Sequence, residues 1–266
     1  MQAVYLDGQL ASAEDLATLA QGNYGHFSSM QVRGGAVQGL ALHLDRLQSA
    51  TTELFDAPLP PDRVRSALAH VAALHPDCSL RITVHARRFD LRQPRQVLEP
   101  DVLAWVGPAA QPRSGHLRVR SVEFQRALPH IKHVGTFPLF HQRRQAIRAG
   151  YDDALFVDGA GRISEGSFWN VGFWDGGTVV WPEAPALRGT TEQLLQAGLR
   201  EAGLAQCSRE LGLEEAGRMT AAFACNAGGV AGIASLDGVD YPGTDGLMPL
   251  LAEALATRSW EPVRGL

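Results

Sequence analysis

Asp153-Ala154-Leu155-Phe156-Val157-Asp158, Gly159-Ala160-Gly161-Arg162 and Ile163-Ser164-Glu165-Gly166-Ser167-Phe168-Trp169-Asn170 form the stretch on which the fold turns. Two apolar runs of strand length flank a glycine turn, the pattern of an antiparallel pair. The second run continues from Ile163 to Trp174. Asp175-Gly176-Gly177 then turns the chain into Thr178 to Trp181, so the whole reads as a meander. Upstream lie a strand (Leu117 to Val122), a loop (Gln125 to Gly135) and a helix from about Pro138 to Ala149. Downstream, a helix from about Thr191 to Ala202 carries Leu194, Leu195, Gly198 and Leu199 on one side. Ala221 to Cys225 then reads as a strand entering a glycine-rich loop, Asn226 to Gly232.

The amino-terminal part mixes the same ingredients. Strands are expected at Val4 to Leu6, Phe27 to Val32 and Ala36 to Leu40, the last two flanking Gly34-Gly35. Helices are expected from about His43 to Phe55 and after Pro60-Pro61, where proline suits a helix start. Leu80 to Ala86 alternates, with Leu80, Ile82, Val84 and Ala86 on one face and Arg81, Thr83, His85 and Arg87 on the other. That polar face could meet solvent or a cleft. After a strand at Val102 to Val106, the Gly-, Pro- and Ala-rich stretch to Gly115 marks a boundary. The expectation is an α+β protein of two lobes: a small α/β lobe over 1–107, a linker over 108–115 and a larger lobe over 116–266.

Composition narrows the function. A 266-residue chain with 45% hydrophobic and 20% charged residues is ordinary for a globular protein. Its longest apolar runs are far too short to span a bilayer, and the amino terminus has no basic leader, so no membrane role is expected. Cys78, Cys207 and Cys225 show neither CxxC spacing nor a disulfide framework, which fits a reducing cytoplasm and gives no metal site. A net charge of −4 argues against a nucleic-acid partner. Arginines do cluster locally, at Arg81, Arg87, Arg88, Arg92 and Arg95 and at Arg113, Arg118 and Arg120; these are either a solvated surface or a positive rim for an anion.

Several residues could carry chemistry. Lys132, one of very few lysines, sits in His130-Ile131-Lys132-His133-Val134-Gly135; a lysine beside histidines and apolar groups is suited to imine formation, though a loop lysine is commonly a surface charge. Glu165, on an apolar strand, is a carboxylate that needs a partner if buried; a protonated pyridine nitrogen would serve, and otherwise it faces water. Three features suit a phosphate: Arg46 in the first turn of a helix, Gly189-Thr190-Thr191 at a helix start, and Asn226 opening the glycine-rich loop. Each also has a plainer reading, as an ion pair, a helix cap and a turn residue.

Taken in order, His43-Leu44-Asp45-Arg46-Leu47, Ile131-Lys132-His133, Asp153 to Asp158, Glu165-Gly166-Ser167-Phe168-Trp169-Asn170, Leu187-Arg188-Gly189-Thr190-Thr191 and Cys225-Asn226-Ala227 resemble the class IV aminotransferase family, the fold-type IV enzymes of pyridoxal 5′-phosphate (PLP). The resemblance runs from about Phe27 to Gly238 and implies a D-amino acid aminotransferase-like architecture, whose larger lobe has a barrel-like sheet, with PLP between the lobes. It implies a Schiff base on Lys132, Glu165 at the pyridine nitrogen, and a phosphate grip from Arg46, Thr190, Thr191 and Asn226. It also implies amino-acid and keto-acid substrates and a homodimer. Thr136 and Phe137 stand where many family members carry a tyrosine, and Gly22-Asn23-Tyr24-Gly25-His26-Phe27 alters the family's early glycine-aspartate-glycine signature. Transamination is the expected reaction. The alternatives are aminodeoxychorismate lyase-type elimination to p-aminobenzoate and pyruvate, and a non-catalytic module that binds PLP or a metabolite.

Overall fold

The alternation over Leu80 to Ala86 becomes the strand Cys78–His85, paired along both edges. The computed structural model describes residues 3–90, 92, 93, 95–111, 113 and 115–263. Met1 and Gln2 of the amino-terminal stretch, and Pro112 and Ser114 of the expected 108–115 linker, lie outside the described residues. Two units divide the chain. The first holds the described residues up to Ala110, with Ile131–Gly135 and those from Ser259 onward; the second holds Gln111–His130 and Thr136–Arg258.

The first unit contains β1 (Ala3–Leu6), β2 (Gln9–Leu10), α1 (Ala13–Gly22), β3 (Gly25–Val32), β4 (Ala36–Gln38), α2 (Leu40–Phe55), α3 (Pro61–Leu74), β5 (Cys78–His85) and β6 (Asp101–Gly107). Its sheet runs β2-β1-β6-β5-β3, antiparallel throughout. The pairings Met30 with Leu80, Leu80 with Val106 and Ile82 with Ala104 put these apolar residues on one face. There α2 and α3 cover them with Leu47, Phe55, Val64, Leu68 and Val71, forming one core. The other face pairs Phe27 with Thr83, Ser29 with Arg81 and Gln31 with Ser79. Helix α2 begins at Leu40, earlier than expected, because Gly39 takes the left-handed conformation (φ 65°) and the Glu261 carboxylate accepts the Leu40 amide at 3.1 Å.

The second unit contains β7 (Leu117–Glu123), α4 (Phe137–Arg148), β8 (Asp153–Val157), β9 (Ile163–Gly166), β10 (Asn170–Trp174), β11 (Thr178–Pro182), α5 (Thr190–Glu201), β12 (Ala205–Arg209), α6 (Leu213–Ala216), β13 (Ala221–Asn226), β14 (Gly229–Leu236), β15 (Val239–Asp240) and α7 (Thr244–Ala256). After it, β16 (Trp260–Pro262) returns to pair with β4 in the first unit. The second unit's sheet runs β12-β11-β10-β13-β14-β7-β8-β9, with β15 on β14, and curls as a half-barrel. Strands β8, β10, β11 and β13 are buried on both faces, which is why they are almost continuously apolar, while β7, β12 and β15 carry exposed residues. Val171, Phe173, Val180, Ala222 and Ala224 pack inside the curl. Val179, Trp181, Ala221, Phe223 and Cys225 pack outside it, against Leu195 and Leu199 of α5 and Leu247 and Leu251 of α7. The two helices touch closely at Gly198, where a Cβ would lie 2.0 Å from the Ala254 carbonyl oxygen.

Two expectations are corrected here. Ile163 to Trp174 is two strands: the Gly166 amide donates to the Trp169 carbonyl at 2.8 Å and bends the chain between β9 and β10. The glycine-rich loop is only a turn at Ala227-Gly228, because Asn226 pairs with Gly229 and the chain continues as β14.

Candidate active site

In the first unit, the segment Ile131–Gly135 lies beside β3. The Phe27 amide donates to the Lys132 carbonyl at 2.9 Å, and the Val134 amide donates to the Gly25 carbonyl at 2.9 Å. These bonds fix the backbone of Lys132, which is the only lysine in the sequence. Its Nζ lies 5.0 Å from the centroid of the Phe27 ring, and the Arg81 guanidinium carbon lies 3.4 Å from the same centroid. Burial pushes the Arg81 pKa down to about 10.

Helix α2 supplies Arg46, which the structure places in the second turn and not the first, because the helix starts at Leu40. Its Nη2 donates to Ser28 Oγ at 2.5 Å and lies 3.4 Å from His43 Nδ1, while Ser28 Oγ is 2.7 Å from that same nitrogen. Ser28 and His43 are buried. Burial, followed by the positive charges of Arg46 and Lys132, drives the His43 pKa down to about 3. His26, whose Nε2 is 2.9 Å from Thr51 Oγ1, is driven to about 4, again mainly by burial.

In the second unit, Glu165 is buried on β9, as expected of a strand among Ile163 and Trp169. Arg126, also buried, pairs with it. Arg126 Nη2 donates to both carboxylate oxygens at 2.7 Å, its Nε donates to Oε1 at 3.2 Å, and the Leu187 amide adds a 3.4 Å contact. The sequence had given no role to Arg126; the one clue was that a buried carboxylate requires a cation. Arg81, Ser28 and His43 were likewise assigned no individual role.

The structure brings Thr190, Thr191 and Asn226 together. Thr191 Oγ1 donates to the Asn226 carbonyl at 2.8 Å. The Asn226 side chain is engaged inside its own turn, accepting from the Gly228 amide at 2.8 Å and donating to the Phe168 carbonyl at 3.3 Å. Thr190 is 4% exposed, and its hydroxyl has no hydrogen-bond partner among the described residues. It stands in the first turn of α5, whose leading N–H groups lack intrahelical acceptors. Glu192 occupies the same turn, accepting from Arg188 Nη1 at 2.9 Å and from the Gly189 amide at 3.3 Å; burial raises its pKa. Gly189 is held to the backbone alone, because a Cβ there would fall 2.1 Å from Asn170 Oδ1.

Residues 25–236 match the family profile described as amino-transferase class IV. The chain belongs to that family. No curated protein sequence matches this class IV aminotransferase-family chain. It is similar in fold to a branched-chain aminotransferase from Thermoproteus uzoniensis solved with norvaline, at TM-score 0.85 and 19% identity, covering 98% of this chain and 99% of that one. A PLP-bound hypothetical aminotransferase from Mycobacterium tuberculosis gives TM-score 0.78 and 22% identity, covering 96% and 98%. A putative 4-amino-4-deoxychorismate lyase from Legionella pneumophila gives 0.78 and 18%, covering 91% and 94%. The chain is thus an enzyme of the fold-type IV class, a family that works with PLP.

The residues present fit that cofactor. An aldehyde needs a primary amine, and the sequence has one lysine, anchored beside β3. A phosphate needs converging donors, and the α5 start offers backbone N–H groups, the buried Thr190 hydroxyl and a glycine with no room for a side chain. No helix among the described residues is long and apolar enough to cross a membrane, and no three of their His, Cys, Asp or Glu side chains group as metal ligands would.

Proposed function

We propose that this enzyme is a PLP-dependent aminotransferase that moves an amino group between an amino acid and a keto acid. Lys132 holds the cofactor, Glu165 attends its ring nitrogen, and Arg46, Thr190, Thr191 and Asn226 bind its phosphate. The observation that carries the proposal is the anchored sole lysine, with Arg46 in the same unit. When bound, PLP supplies an aldehyde that captures amines and a ring that withdraws electrons from the substrate.

Lys132 supplies the amine for covalent attachment and, once displaced by substrate, is the base and acid that shuttles the proton at the substrate Cα. Arg126 orients Glu165 from two sides, so its carboxylate keeps one direction. Thr191, by donating to the Asn226 carbonyl, ties the α5 start to the β13–β14 turn and keeps the phosphate donors in register. Arg81, over the Phe27 ring, presents a cation to a substrate carboxylate, which favours amino acids over amines that lack one. A homodimer is supported by the exposed Phe137, Phe140 and Ile147, spaced along α4 on one stripe. Free Cys78, Cys207 and Cys225 support a reducing, cytoplasmic setting.

The test has two parts. Borohydride reduction of the PLP-loaded protein followed by peptide mapping should find the label on Lys132; a label elsewhere refutes the attachment. Mixing the loaded protein with a panel of L- and D-amino acids, without acceptor, should release one keto acid per subunit. Pyruvate and p-aminobenzoate from aminodeoxychorismate, with no keto acid from any amino acid, would establish the elimination reading that the Legionella likeness keeps in view.

A further inference from the structure

We propose that Ser28 and His43 are positioning residues, a buried relay that sets the orientation of the Arg46 guanidinium for a phosphate; the proposal rests on the reading that Arg46 holds the cofactor's phosphate. The directions of the hydrogen bonds follow from the chemistry. A guanidinium only donates, so Ser28 Oγ accepts from Arg46 Nη2 at 2.5 Å. The hydroxyl has one proton to give, and His43 Nδ1 stands 2.7 Å away to receive it. We assign Nδ1 as that acceptor, which makes the ring the Nε2–H tautomer. Arg46 Nη2 also approaches Nδ1 at 3.4 Å, which again requires an acceptor there.

The surroundings keep the ring in that form. The charged groups facing His43 are Arg46 on its own helix and Lys132 on the 131–135 segment, both cationic. Protonation would set an N–H against the guanidinium and turn Ser28 Oγ from donor to acceptor toward the ring, so the relay in this form needs a neutral ring. Burial and those two charges hold the His43 pKa near 3.

Packing alone does not account for these two residues. Ser28 (0% exposed) lies between His26 and Met30 on the face of β3 that packs on α2 and the apolar core, and His43 (3% exposed) meets it from α2. Polar groups there are unfavourable unless hydrogen-bonded, and aliphatic residues would fill the space without that requirement. His43 and Arg46 are three apart on α2 and so share a side, and Ser28 meets both from the strand. An arginine side chain loses several torsions on binding an anion; a tether at one nitrogen removes that loss beforehand.

The test compares full-length apo-protein variants titrated with PLP and with pyridoxal, which lacks the phosphate. Ser28→Ala deletes the bridge, His43→Phe keeps a ring without an acceptor, and His43→Asn restores an acceptor, Oδ1, near the place of Nδ1. Ser28→Ala and His43→Phe should weaken PLP about tenfold and leave pyridoxal within about twofold, while His43→Asn stays near wild type. Equal losses for both ligands, or none for either, overturn the positioning role. If His43→Phe does not fold, Ser28→Ala decides, since it removes a single oxygen. Arg46→Gln runs alongside. If it lowers PLP but not pyridoxal affinity and the other variants do not, only the relay fails. If Arg46→Gln leaves the PLP-to-pyridoxal ratio unchanged, the phosphate assignment of Arg46 fails and the relay with it.

Discussion

Replacing Arg126 by methionine keeps most of the side chain's length and deletes the buried cation that donates three hydrogen bonds to Glu165. Arg126 is 7% exposed and Glu165 5%, so solvent cannot take over as partner. The change removes contacts at 2.7, 2.7 and 3.2 Å and leaves the weaker one from the Leu187 amide at 3.4 Å. Removing one member of a buried pair costs about 3–5 kcal/mol, a large part of the roughly 5–15 kcal/mol that stabilises a folded protein. Urea denaturation of the apo-protein at neutral pH, followed by tryptophan fluorescence, should show a loss in that range for Arg126→Met and a similar one for Glu165→Gln. The double variant should lose far less than the two losses combined, because after the first substitution no pair remains for the second to break. Additivity to within about 0.5 kcal/mol would refute the reasoning, since residues that stabilise independently do not form an ion pair worth naming.

Three further outcomes are expected. His43 and His26 have folded pKa values of about 3 and about 4, below the unfolded value, so the unfolded chain binds more protons. Their contribution to stability is whole above about pH 6.5 and falls as the pH drops, by roughly 1.4 kcal/mol per unit for each histidine. In denaturation series from pH 4 to 7, His43→Asn should remove one such slope; an unchanged slope would show that His43 is not held neutral. Arg81→Met should raise KM about tenfold for amino-acid substrates and leave the amine of matching side chain that lacks the carboxylate unaffected; equal effects on both would remove Arg81 from substrate binding. Gly198→Ala drives a methyl to within 2.0 Å of the Ala254 carbonyl oxygen unless the helices part, and should cost about 1–3 kcal/mol and several degrees of Tm in a thermal melt.

Strands buried on both faces were plain in the sequence, because Ala154 to Val157, Val179 to Trp181 and Ala221 to Cys225 are unbroken apolar runs. Elements stabilised by their surroundings were not. Helix α7 carries Gly246 and Pro249, both poor helix residues, and is held by Leu247 and Leu251 against α5. Strand β14 looked like a loop because Gly229 and Gly232 interrupt it, yet Gly232 is small for a reason: a Cβ would meet His116 Nδ1 at 2.4 Å. Helix α1 fully buries none of its residues, and its apolar side is only Leu16, Leu19 and Ala20, too short a repeat to mark a helix. Lys132, Glu165 and Arg46 stood out as chemistry in particular settings. Arg126 did not, because it lies in a loop without periodicity and its pairing with Glu165 spans 39 residues.

The Glu261 carboxylate that receives the Leu40 amide, and the pairing of β16 with β4, have a bearing on biosynthesis. Translation delivers α2 early, but the group that neutralises its leading end comes more than two hundred residues later, after the entire curled sheet has emerged. The helix bearing His43 and Arg46 must therefore wait, incompletely satisfied, for the tail of the chain. A nascent polypeptide stalled before Ser259 should expose that waiting end to proteases, and emergence of residues 260–262 should close it.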